Sequence, residues 1–120
     1  MKLENKVAIV TGAGRNIGES IAHTLSDEGA GVAVVDLELD RAEAVAKAIT
    51  DKGGKAIAIA ANVADEDDVK RLVKETVDGL RRIDVLVNNV AISDNQHILD
   101  ISKEDWDRVI SVTLGAPFLM

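Results

Sequence analysis

Lys6-Val7-Ala8-Ile9-Val10-Thr11-Gly12-Ala13-Gly14-Arg15-Asn16-Ile17-Gly18 is the stretch whose pattern decides the fold. Val7 to Val10 reads as a strand buried on both faces, and a glycine-rich turn follows it. Ile17, Ile21 and Leu25 then recur every four residues, which assigns them to one inward helix face, with Gly29 placed to stop the helix. The unit is therefore strand, glycine loop, helix. At such a junction, free amides and the helix dipole favour an anion. Glycines there permit positive φ and close approach of a ligand to the backbone. The G-x-G-x-x-G spacing is met by Gly12 and Gly14 but falls on Ile17 at its last place. A P-loop is excluded, because G-x-x-x-x-G-K-[ST] does not occur and the loop holds no lysine. Alone, the loop fits a dinucleotide and a purely structural turn equally well.

Outward from this unit, short β-type runs keep alternating with helical patterns. Val32 to Val35 is a second strand ending in Asp36, and a helix over Arg41 to Lys52 turns Ala42, Val45, Ala46 and Ile49 inward, stopped by Gly53-Gly54. Ala56 to Ala60 is a third strand. A helix over Asp65 to Leu80 carries Val69, Leu72, Val73, Val77 and Leu80 at helical spacing. Val85 to Val87 is a fourth strand running into Asn88-Asn89. Ser102 and Asp105 then form a capping-box start for a helix whose apolar side is Trp106, Val109, Ile110 and Leu114. Pro117 falls within that last helix and is expected to kink it. The order βαβαβαβα predicts an α/β fold, a Rossmann-type doubly wound parallel sheet with right-handed crossovers, filling residues 1–120 as one domain. The apolar end at Phe118-Leu119-Met120, without cap or polar tail, reads as a domain left incomplete at its C-terminus.

Composition narrows the function. The net charge is −7 with no basic stripe, which argues against nucleic acid. There are no cysteines, so disulfides, thiolate metal sites and a Cys nucleophile are excluded. No apolar run approaches a membrane span, and the short apolar strand after Lys6 is too brief for a signal peptide. A cytoplasmic protein without membrane contact is expected. His23 and His97 are 74 residues apart with no ligand spacing, so no metal site is expected. His23 reads as a boundary residue, and His97, in the loop Ser93-Asp94-Asn95-Gln96-His97, as solvated. Asp65-Glu66-Asp67-Asp68 suits the positive end of a helix rather than a cation. Trp106 reads as packing.

Asp36 follows Gly18 by 18 residues, near the roughly 20-residue offset of an acid that bonds adenosine ribose hydroxyls. The same carboxylate repels a 2′-phosphate, so NAD is expected over NADP, and Leu37 supplies no compensating cation. The competing reading is an Asp that merely caps the next turn.

In their order and intervals these residues resemble the short-chain dehydrogenase/reductase family. The likeness runs from Lys6 to Phe118. It comprises Thr11 to Gly18 against T-G-x-x-x-G-x-G, Asp36, Asn62-Val63 against D-V, Asn88-Asn89-Val90-Ala91 against N-N-A-G, and Trp106 to Thr113 against W-D-x-V-x-x-V-N. The resemblance implies a strand order 3-2-1-4 within a longer 3-2-1-4-5-6-7 sheet. It implies NAD-dependent hydride transfer between nicotinamide and a small-molecule alcohol or carbonyl substrate. Gly12 and Arg15, Asn16, Ile17 and Gly18 would face the pyrophosphate, Asp36 and Leu37 the adenosine ribose, and Asn62 and Val63 the adenine. Asn89, Val90 and Ala91 would line the nicotinamide-side ribose with Val112 nearby, while Asn88 would hold the sheet together. Homo-oligomers are a tendency of the family, and an exposed edge at the fourth strand offers a second route to self-association.

Four positions depart from the family pattern. Asn16 stands for the middle loop glycine and tolerates left-handed geometry. Asn62 stands for Asp, keeping an acceptor and gaining a donor. Val90-Ala91 stands for Ala-Gly and adds bulk beside the cofactor. Thr113 stands for the Asn of the family's proton relay, and one hydroxyl is not expected to replace both halves of an amide. The family's Ser and Tyr-x-x-x-Lys have no counterpart in these residues, and the chain contains no tyrosine. The 120 residues alone are therefore expected to be inactive, and the alternative function is a catalytically inactive nucleotide-binding or interaction module.

Overall fold

The computed structural model describes residues 1–93 and 95–120; Asp94 in the His97 loop lies outside the described residues. Strands β1 (Val7–Thr11), β2 (Gly31–Asp36), β3 (Lys55–Ala60) and β4 (Val85–Val87) alternate with helices α1 (Asn16–Asp27), α2 (Leu39–Asp51), α3 (Glu66–Leu80) and α4 (Lys103–Ile110). A π-helical turn, Ser111–Gly115, then joins α4 to the short α5 (Ala116–Leu119). The strands pair in parallel in the order β3-β2-β1-β4. The chain thus winds outward from β1 to β3 and then jumps back across β1 to lay down β4. That reversal, between β1 and β4, is where open α/β sheets leave a crevice at the strands' carboxyl ends.

Every residue of β1 and β2 is buried, which is why their sequences are continuous Val, Ile and Ala. Side-chain alternation sends neighbours to opposite cores. Val10, Val32 and Val34 meet Ala42, Val45 and Ile49 of α2 on one face. Ile9, Ala33, Val35 and Ile59 meet Leu72 of α3 on the other. β4 pairs only with β1 among the described residues, and Leu86 is 38% exposed on this edge.

Several inward assignments are corrected. Ile17 is 71% exposed, because it belongs to the first turn at the open mouth of the loop; Gly18 and Ala22 are the buried positions of α1. On α3, Val77 is 42% exposed and Thr76 is fully buried. At about 100° per residue, Thr76 lies on the line from Val69 to Leu80, whereas Val77 is rotated well off it. The Thr76 hydroxyl is satisfied by donating to Leu72 O at 2.7 Å. Trp106, Ile110 and Leu114 are also exposed, at 47%, 40% and 66%, so that stripe is not packing. Pro117 does not sit inside a continuing α-helix. The ladder widens into the π turn just before it, so Pro117 falls in the first turn of α5, where a missing N–H is tolerated.

Candidate cofactor site

The glycine loop folds as its residue types require. Gly12 has φ 62° and Asn16 φ 52°, both left-handed, and Asn is among the few side chains that accept this region. The start of α1 is left open. Asp65 caps α3 by accepting from Asp68 N at 3.0 Å, and Ser102 caps α4 by accepting from Asp105 N at 3.0 Å. α1, like α2, has no side-chain cap, and Arg15 lies at its N-cap in extended backbone. The α1 ladder starts with Glu19 N donating to Arg15 O at 3.2 Å, so the amides of Asn16, Ile17 and Gly18 precede it. Gly18 lets the helix sit hard against β1's exit: a Cβ there would fall on the Gly12 carbonyl oxygen and lie 2.7 Å from Asn89 Nδ2.

Asp36, 8% exposed at the end of β2, ties this loop to its neighbours. Its Oδ2 accepts from Gly14 N at 3.0 Å and its Oδ1 from Glu38 N at 3.0 Å. The turn-capping reading is thus correct for one oxygen, while the other anchors the glycine loop. Gly14 is a glycine because a Cβ there would stand 2.6 Å from Asp36 Oδ2. An ionised carboxylate has about four acceptor sites, so two remain for hydroxyls of a ligand.

These groups open on a cleft of ≈ 360 Å³ at the carboxyl ends of the strands. Gly12, Asp36, Leu37, Asn62 and Val63 line it, and Val90 and Val112 close its other side. Leu37 is 71% exposed, an apolar surface at the rim. Asn62 Oδ1 accepts from Ala64 N at 3.0 Å, which shapes the turn after β3. Arg15, Asn16, Ile17 and Gly18 stand at the loop and helix start beside the cleft rather than in its wall, and Ala91 is exposed outside it. Ile92 and Arg108 also line the cleft, and sequence reasoning missed them. Arg108 had a signal: it precedes Val112 by one helical turn, the spacing that puts two side chains on one face.

Asn88 does not hold the sheet. Asn88 is exposed and its side chain makes no hydrogen bond among the described residues. Asn89 holds the sheet instead: its Nδ2 donates to Thr11 O at 3.1 Å and Gly12 O at 3.3 Å, and its N–H donates to Thr11 Oγ1 at 3.0 Å. Thr113 is turned toward the loop after β4. Its hydroxyl accepts from Ile92 N at 3.2 Å and donates to Ile92 O at 3.1 Å, so one side chain serves as both donor and acceptor. The π turn is thereby pinned to the loop that follows β4. His23, with 23% side-chain exposure and Glu19 at 3.9 Å, is a boundary residue. His97 Nδ1 accepts from Leu99 N at 3.3 Å in an exposed loop.

A larger hollow of ≈ 910 Å³ lies at the strands' amino ends, where α1, α2 and α3 terminate. Helix C-termini carry negative partial charge, which Lys6, Lys52, Lys55, Arg81 and Arg82 in the lining offset. But the hollow lies at the end of the sheet opposite the strands' carboxyl ends, where open α/β sheets bind their ligands. The smaller cleft, with open amides and an acid that accepts hydroxyls, has the chemistry for a nucleotide.

Fold and switch point together define a doubly wound α/β domain. The short chain dehydrogenase family model matches residues 6–120, and the chain belongs to that family. Among curated relatives, it is 45% identical over 115 residues to the 3-oxoacyl-[acyl-carrier-protein] reductase FabG of Staphylococcus epidermidis, covering 95% of this chain and 47% of the relative. It is 38% identical over 120 residues to a sorbitol dehydrogenase of Cereibacter sphaeroides, covering 100% of this chain and 46% of the relative. A solved Serratia marcescens short-chain dehydrogenase/reductase variant superposes with TM-score 0.94 at 38% identity, over 99% of this chain and 49% of that one. A 7α-hydroxysteroid dehydrogenase solved with NADH and 7-oxo glycochenodeoxycholic acid gives TM-score 0.94 at 32% identity, over 98% and 46%. The chain spans about half the length of the curated relatives it matches.

Proposed function

We propose that this chain supplies the NAD-binding half of an oxidoreductase that transfers hydride between nicotinamide and a small alcohol or carbonyl substrate. The observation that carries the reading is the uncapped start of α1, with amides of Asn16 to Gly18 outside the helical ladder, next to a glycine loop that Asp36 anchors at Gly14 N. The amides of Ile17 and Gly18 bind the pyrophosphate, and the remaining Asp36 acceptor sites take the ribose hydroxyls. Asp36 disfavours a 2′-phosphate and selects NAD over NADP. Asn62 and Val63 flank the adenine, and Val90, Ala91 and Val112 shape the nicotinamide side, with Asn89 holding the Gly12 carbonyl in place. When bound, the nicotinamide supplies the hydride, and the protein has to orient it and move a proton. Thr113 is occupied with Ile92, so it positions the loop and is given no proton step.

A neighbour solved with NADH supports this cofactor class. No helix among the described residues is long and apolar enough to cross a membrane. The exposed stripe Trp106, Ile110 and Leu114 supports assembly with a second copy. The test is isothermal titration of the intact protein with ADP-ribose and 2′-phospho-ADP-ribose. Tighter binding of ADP-ribose is expected; no binding of either ligand, or preference for the 2′-phosphate, refutes the reading.

A further inference from the structure

We propose that Arg108 is the adenine-stacking group of the cleft, its guanidinium lying against one face of the base. This rests on the cofactor reading above and gives a role to a position that the W-D-x-V-x-x-V-N segment leaves unspecified.

A nucleotide base is a flat π system, and proteins usually meet it with an aromatic ring or an arginine plane. Aromatic rings are nearly absent here: Trp106 and Phe118 are the only ones in the sequence, and neither lines the cleft. The other cleft side chains on the adenosine side, Leu37, Ala61 and Val63, are aliphatic and present no plane. Among the described residues, Arg108 is the one cation that lines the cleft and its only planar delocalised side chain apart from the polar Asp36 and Asn62. It enters from α4, one turn before Val112, so the two share a helix face toward the same space.

Among the described residues, half of the fourteen Lys and Arg side chains are tied to acids; Lys2, Lys6, Arg15, Lys52, Lys55 and Arg81 are not, but none of these six lines the cleft. Arg41, Lys47, Lys70, Arg71, Lys74, Arg82 and Lys103 are each ion-paired with a nearby acid. Arg108 has no ion pair and no side-chain hydrogen bond among the described residues. Its charge reaches Asp105 only as the weakest of the influences on that carboxyl. An arginine without a partner, at the wall of an apolar cleft that must hold a base, is free to stack.

The experiment compares NADH, NADPH and reduced nicotinamide mononucleotide, which lacks the adenosine, by fluorescence titration of the intact protein and its Arg108→Ala and Arg108→Lys variants. Loss of a cation–π contact predicts a rise of roughly 2- to 30-fold in Kd for NADH in Arg108→Ala. NADPH should lose affinity by the same factor, and the mononucleotide should not change. Arg108→Lys keeps the charge without the plane and should recover only part of the loss. Circular dichroism of each variant should match the parent, since no hydrogen bond or ion pair of the side chain among the described residues is removed. Unchanged NADH affinity in Arg108→Ala overturns the proposal, as does an equal loss for the mononucleotide. A loss confined to NADPH also overturns it, by assigning Arg108 to a 2′-phosphate. Failure of the parent protein to bind NADH refutes instead the cofactor reading beneath it.

Discussion

Replacing Gly18 by Ala inserts one methyl group at the tightest point of the candidate site. The new Cβ would fall on the Gly12 carbonyl oxygen and sit 2.7 Å from both the Gly12 carbonyl carbon and Asn89 Nδ2. Carbon contacts are comfortable at about 3.5–4.0 Å, so something must move by on the order of 1 Å. No partner gives way cheaply. Two of the three atoms are backbone, and Asn89 is held by its own bonds to Thr11 O and Gly12 O at 3.1 and 3.3 Å. Overpacking of this kind costs about 1–3 kcal/mol, which lowers a urea midpoint by roughly 1 M for a domain of this size. The compensating movement is the start of α1 swinging away from Gly12. That takes the Ile17 and Gly18 amides out of line with the pyrophosphate, and one lost charge-assisted hydrogen bond of about 1.5–3 kcal/mol weakens NADH roughly 10- to 150-fold. Urea unfolding followed by circular dichroism, with NADH titration below the transition, reads both effects. A Gly18→Ala protein with parental midpoint and parental NADH affinity would refute the close-packing argument.

Asp36→Ala removes the acceptor for Gly14 N and Glu38 N at once, so NADH affinity should fall at least about tenfold while NADPH loses less, measured by parallel titrations. Thr113→Val deletes the paired hydrogen bonds to Ile92; stability should drop by about 1–2 kcal/mol, and exchange of the Ile92 amide should accelerate, whereas Thr113→Ser should preserve both. Gly79→Ala lies within α3, and its Cβ meets only the Ile57 side chain at 3.3 Å or beyond. Removing glycine from a helix interior should raise the thermal midpoint by a few degrees, equivalent to about 0.5–1 kcal/mol. Asp84 is held below the ordinary carboxylate pKa first by its hydrogen bond from Arg82, then by the Val7 amide. A depressed folded-state pKa stabilises fully above the unfolded value of about 4 and is lost as pH falls through the folded one. Acid titrations of parent and Asp84→Asn should therefore differ above that range and converge below it.

The fold was legible because its strands are uniform runs and its glycines punctuate them. The assignment of Ala42, Val45, Ala46 and Ile49 to the core of α2 and the Ser102–Asp105 cap both stand in the structure. What periodicity could not supply was the choice between neighbours with similar phase. Thr76 takes the buried place because position, not polarity, sets the face, and its hydroxyl bonds its own helix. Ile17 has the right spacing and the wrong depth, standing at an open mouth. Trp106, Ile110 and Leu114 do form one stripe, yet spacing shows only that residues share a face, not that anything covers it. Among candidate site residues, Asp36 was singled out from its offset, but its bond to Gly14 N was not foreseen, since it joins residues on separate strand ends. The assignment of sheet-holding to Asn88 failed for a similar reason: the two asparagines are adjacent, and only their direction at the end of β4 separates them. Arg108 was hidden because a charged helix residue usually belongs to solvent.

The most direct measurement is a crystal structure of the intact protein grown with NADH. The expected result is pyrophosphate oxygens within hydrogen-bond distance of the Ile17 or Gly18 amides and an adenosine ribose on Asp36, in the cleft bounded by Asn62, Val63 and Val90. Cofactor density away from α1, or seated in the hollow at the amino ends of the strands, would contradict it.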